Sequence, residues 1–224
     1  MTDEKETSNR AGVRFFEAGT LYDIATEAAK KIKAEDPRMG EQLAALTSIV
    51  FCVISLEAFL NEMTESAEDN QHHDYEPQAV RLFAQMMRDM ESASLENKLV
   101  MSSWVLAGKN LDRGAQPFQD LKSLISLRNQ LVHFKPSALI VPHPEGGFVI
   151  SEETDKKYLK KLEPKNILAP AEYQGGWKYR ATTKAVAEWS CNTVAAVIND
   201  FAGKAPNGMW GTTVKGFAKR FKLE

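Results

Sequence analysis

Hydrophobic residues recur at three- and four-residue intervals along most of the chain, and that spacing predicts helices. Residues 13–35 read as the first, with Phe15, Phe16, Leu21, Ile24 and Ala28 on one side and a stop before Pro37. The strongest pattern runs from 38 to 66. There Leu43, Leu46, Val50, Val53 and Leu60 form the expected core seam, flanked by Ile49, Leu56 and Met63. The polar stretch AEDNQHHDYEP closes with a proline and reads as a loop. Three further helices are expected: 77–91 with Pro77 in its first turn, 95–107 ended by Gly108, and 117–134 closed by Pro136.

The pattern then changes. ALIVPHPEGGFVI has short apolar runs around a Pro-Glu-Gly-Gly turn, which predicts a small hairpin. The basic KKYLKKLEPKN follows, then EYQGGWKY, which reads as a loop or short strand. A last helix over 181–202 carries Val186, Trp189, Cys191, Val194, Val197, Ile198 and Phe201. The fold class expected is all-α, a bundle of about five to six helices with a small β-hairpin insertion over 137–180 before the last helix. Residues 1–12 are expected as a flexible lead, 13–202 as a single domain, and 203–224 as a tail with Met209, Trp210 and Phe217 as docking residues.

At 224 residues the chain is long enough to bury a sizeable core. No apolar run is expected to reach the roughly 20 residues of a membrane span, and the polar MTDEKETSNR start has no apolar signal region. Cys52 and Cys191 fall inside apolar helical patterns without metal-ligand spacing. They read as small buried hydrophobes in a reducing cytoplasm, so a cytoplasmic protein is expected. The net charge of −2 gives the whole molecule no electrostatic footprint for nucleic acid, so any such site would be a local patch or pocket.

Two charges interrupt two apolar stripes. In SLRNQLVHFKP, Arg128 falls among Phe118, Leu121, Leu124, Ile125, Leu131 and Val132. In SIVFCVISLEAFL, Glu57 continues the seam of the long helix. An ion buried alone costs several kcal/mol, so the expectation is that Glu57 and Arg128 face each other across a helix–helix contact. A purely structural ion pair explains the same pattern. His133 is five positions beyond Arg128, about 140° around a straight helix, so the two meet only if the last turn opens or a second subunit supplies one of them. Among weaker candidates, His72-His73-Asp74 sits in a polar loop where adjacent ligands rarely converge on one metal ion. His143 in VPHP reads as a loop residue, and KKYLKK and VKGFAKRFK as solvated faces.

Taken together, Arg128-Asn129-x-x-x-His133 at the end of a core helix resembles the signature of the HEPN (higher eukaryotes and prokaryotes nucleotide-binding) superfamily. SLEAFLNE resembles the long helix that contributes an acidic residue to such sites, which maps to Glu57. The resemblance covers roughly 40–135 and the last helix. It implies a metal-independent endoribonuclease, a homodimer with a composite cleft, and a toxin or phage-defence setting in which an antitoxin or regulatory partner has a place. Some members of that family instead serve as non-catalytic modules that bind a partner protein or a nucleotide. The residue types suit transphosphorylation. RNA brings its own 2′-OH nucleophile, His133 can move protons near neutral pH, and Arg128 can take the charge developing on phosphate. Asn129 would hold the imidazole or phosphate, Glu57 would orient Arg128, and Lys122 and Lys135 would be weak RNA contacts. No metal, cofactor or membrane is implied.

Overall fold

The structure, a computed structural model, describes residues 16–33, 39–70, 73, 76–133, 140–142, 148–150, 159–170 and 176–222. Its α-helices are α1 (Ala18–Lys30), α2 (Met39–Asn70), α3 (Gln78–Asp89), α4 (Leu95–Ala107), α5 (Phe118–Val132), α6 (Gly176–Ala181), α7 (Lys184–Lys204) and α8 (Met209–Ala218). Helix α2 runs through the centre, with α1, α3, α5, α7 and α8 packed on it and α4 resting on α3 and α7. The protein is all-α. Short strands β1 (Ile140–Pro142) and β2 (Phe148–Ile150) pair antiparallel, with Val141 opposite Val149.

Local chemistry explains the helix limits that sequence placed well. Ser94 accepts the amide of Asn97 at the start of α4, and Gly108 closes that helix in the left-handed region at φ 63°. Thr183 caps α7 by accepting the amide of Val186. The count of eight helices among the described residues corrects the expected five to six. One extra helix, α6, occupies a stretch expected to be loop or strand. The other, α8, lies where a tail was expected.

Helix α8 belongs to the core. Trp210 is fully buried and donates its indole N–H to the Met63 carbonyl at 3.0 Å. The Phe217 ring centroid lies 5.1 Å from that of Phe16 and 6.1 Å from that of Phe59. The Glu76 carboxylate, buried beneath the helix, accepts the Trp210 amide at 3.0 Å and satisfies one orphan donor of α8's first turn. At the other end of the chain Glu62 does the same for α1, accepting the amides of Glu17 and Ala18 at 2.6 and 2.9 Å. Burial pushes the Glu62 carboxyl above its ordinary range against the pull of those amides.

The buried face of α2 differs from the expected seam. Ile49, Leu56 and Met63, expected on its flank, are fully buried with Cys52, Val53, Phe59 and Leu60, whereas Leu43 is 60% exposed. Between 49 and 60 the helix is apolar nearly all round, so the sequence carries no unique phase there, and the neighbouring helices choose one. The same composition bears on the membrane expectation. By length and composition alone α2 could cross a membrane, and half of its apolar window is buried inside the protein, as in a core helix. Across the α2–α7 contact the free thiols of Cys52 and Cys191 lie 3.1 Å apart, both buried.

Candidate functional site

Helix α5 begins after Pro117 and ends at His133, whose amide bonds back to the Asn129 carbonyl at 2.9 Å. Its buried positions are Phe118, Leu121, Leu124, Leu127 and Leu131. Leu127 therefore holds the centre of the stripe, and Arg128 and Val132 are displaced towards its edge, with Val132 half exposed. Arg128 lies along the margin of the α2–α5 contact. Its guanidinium turns to a partner.

That partner is Glu57. Arg128 Nη2 donates to Glu57 Oε1, so the two charges singled out in the sequence do meet. They meet on the shoulder of the core and not in its centre. The Arg128 side chain is 19% exposed and that of Glu57 41%. The pair is therefore asymmetric: water reaches the carboxylate, while the guanidinium Nε is buried without a hydrogen-bond partner among the described residues.

His133 stands exposed at the C-terminal cap of α5, and among the described residues its ring has no hydrogen-bond partner. The last turn does not open to bring it to Arg128, so the helical offset of about 140° stands. The Asn129 side chain is half-buried and also without a partner among the described residues, its carbonyl serving only the His133 cap. Lys122, half-buried six residues before Arg128, falls about 120° away around the helix. Lys135, His72, Asp74 and His143 lie outside the described residues. His73 is exposed, and its carbonyl accepts from Arg81 at 3.2 Å. Among the described residues no three His, Cys, Asp or Glu side chains are grouped to hold a metal ion.

Two polar features were not visible in the sequence. On the open side of Glu57 a cleft of 160 Å³ lies against the start of α4, lined by Leu60, Asn61, Ala93, Leu95 and Lys98. Its lining brings Lys98 and the first residue of α4, Leu95, to the same cleft as Glu57. The second feature ties the 3₁₀ turn Glu163–Lys165 to α5 and α7. Asp120 accepts from Lys165, from the Trp189 indole at 3.0 Å and from Gln116 at 2.8 Å, and Lys165 lies 5.6 Å from the centre of the Trp189 ring. Burial pushes the Asp120 carboxyl up, but these donors outweigh it and hold the group below its ordinary range. No local sequence signal links residues so far apart.

Compared with protein-family models, with curated proteins and with solved structures, the chain has no match in any of the three.

Proposed function

We propose that the chain is a HEPN-like, metal-independent endoribonuclease. The observation that carries this reading is the Arg128 guanidinium held by Glu57 on the same helix that ends in an exposed His133 whose ring has no hydrogen-bond partner among the described residues. The 2′-OH of RNA attacks the adjacent phosphorus and gives up its proton, the P–O5′ bond breaks, and the 5′-oxygen takes a proton. The products are a 2′,3′-cyclic phosphate and a 5′-OH. His133 serves as one of the two proton carriers. Arg128, its freedom limited by Glu57, stabilises the charge on the phosphoryl oxygens, and Asn129 and Lys122 contact the backbone. Five residues along α5 set His133 about 140° around the helix from its own chain's Arg128, so in this reading a second copy completes the site and the working unit is a homodimer. The setting is cytoplasmic, as a toxin or defence effector with an antitoxin or regulatory partner. Incubation of the purified protein with tRNA in EDTA tests this. Cyclic-phosphate ends support the reading, and intact RNA from a protein shown to be dimeric refutes it.

A second reading is favoured by the burial of Arg128, whose Nε is unavailable to a ligand. In this reading the Glu57–Arg128 pair fixes the register of α5 on α2. The chain is then a non-catalytic HEPN-like module that binds a partner protein or a nucleotide. Size in solution separates the two, because a strict monomer is compatible only with the second.

A further inference from the structure

Away from Arg128, a cavity of 420 Å³ lies between the end of α4, the 108–117 loop and the C-terminal half of α7. That volume is within the roughly 300–1,000 Å³ of small-molecule pockets. Leu99, Leu106, Phe118, Val197 and Phe201 form an apolar floor from core side chains that are almost completely buried elsewhere. The rim is polar, and its groups divide into those already engaged and those free. Lys204 is paired with Asp200, the Asp112 carboxylate accepts the Gly114 amide at 2.7 Å, and Gln116 is bonded to Asp120. Lys109 and Asn110 are exposed at the rim, and among the described residues their side chains have no partner. Both are donors. The Ser103 hydroxyl donates to the Lys109 carbonyl at 3.4 Å and anchors this part of the loop to α4.

We propose that this cavity is a binding site for a small amphipathic anion: an apolar body on the floor, and one acidic group at the mouth against Lys109 and Asn110. These donors call for an acceptor, and Lys109, the one cation of the lining without an ion-pair partner among the described residues, calls for a negative one. The site is independent of the ribonuclease reading, since it shares no residue with the Glu57–Arg128 pair.

The test uses two fluorescent probes of nearly the same shape. One is the anionic 1-anilinonaphthalene-8-sulfonate, the other the uncharged N-phenyl-1-naphthylamine. Both should saturate at one site per chain. Lys109→Gln, at an exposed position that cannot disturb the fold, should weaken the sulfonate about tenfold, the worth of one charge-assisted contact, and leave the uncharged probe unchanged. Ala115→Phe, which adds bulk at the lining, should abolish binding of both while the near-ultraviolet circular dichroism stays native. Absence of saturable binding, or equal affinities of wild type and Lys109→Gln for the sulfonate, would overturn the proposal.

Discussion

The asymmetry of the Glu57–Arg128 pair makes a prediction that runs against the usual expectation of two equal partners. Replacing Arg128 by Met removes a side chain that is 19% exposed and leaves behind that of Glu57, 41% exposed, whose carboxylate water can solvate. The cost should be small, about 0.5 kcal/mol, because exposed charges gain little from pairing. Replacing Glu57 by Ala leaves the cation in its mostly buried position, with Nε already unpartnered. Breaking a fully buried pair in this way costs about 3–5 kcal/mol, and the partial exposure here reduces that to about 2 kcal/mol. In a chain of 224 residues that is a fall in Tm of about 4–8 °C for Glu57→Ala, against about 1–2 °C for Arg128→Met. The double variant should recover most of the loss, because removing both partners leaves no charge stranded. Urea unfolding of the three variants measures all of this, with unchanged m-values as the check that only stability moved. Equal losses in the two single variants, or a larger loss for Arg128→Met, would refute the burial asymmetry on which the reasoning rests.

Other outcomes follow from the packing and the polar networks. Asp120 is held below its ordinary range by Lys165, Trp189 and Gln116 despite its burial, so its contribution is present above the unfolded carboxylate range and lost as pH falls through the folded value. Asp120→Asn should therefore cost about 1 kcal/mol at pH 7 and progressively less towards pH 3, read by denaturation at the two pH values. Trp210→Ala should cost about 3–5 kcal/mol by cavity formation, whereas a loosely docked tail would show almost no change in the same melt. Cys52 has its thiol pushed well up by burial and by the neighbouring Cys191. Neither cysteine should react with iodoacetamide in the native protein, and both should react in urea; native labelling would contradict the buried α2–α7 contact.

What could be read from the sequence was what local chemistry decides. Ser94 and Gly108 bracket α4, and Pro117 and Pro136 bracket the segment that holds α5, because caps and breakers act within a few residues. The meeting of Glu57 and Arg128 was also legible, since a charge in an apolar stripe demands a partner. Its depth was not. The run from Ile49 to Leu60 is apolar on nearly every face, so periodicity could not say that Leu56 faces the core and Glu57 its shoulder. Helix α8 was missed because the chain from Gly203 onward is rich in glycine and lysine, and its stability comes from distant groups: Glu76 under its first turn and Met63 under Trp210. The cleft beside Glu57 and the Asp120 network were invisible for the same reason, since Lys98, Lys165 and Trp189 reach them only through tertiary packing.

The most direct test of the central claim compares RNA cleavage in EDTA by wild type and by His133→Ala at equal folded fraction. His133 is exposed and its ring supports nothing else among the described residues, so its loss cannot act by unfolding the chain. The ribonuclease reading predicts cyclic-phosphate products from wild type and a rate lower by about 10²–10⁴-fold in the variant, the scale of general acid–base catalysis. Cleavage at the same rate by both proteins, or by neither, would contradict it and leave Arg128 and Glu57 as a strut between α5 and α2.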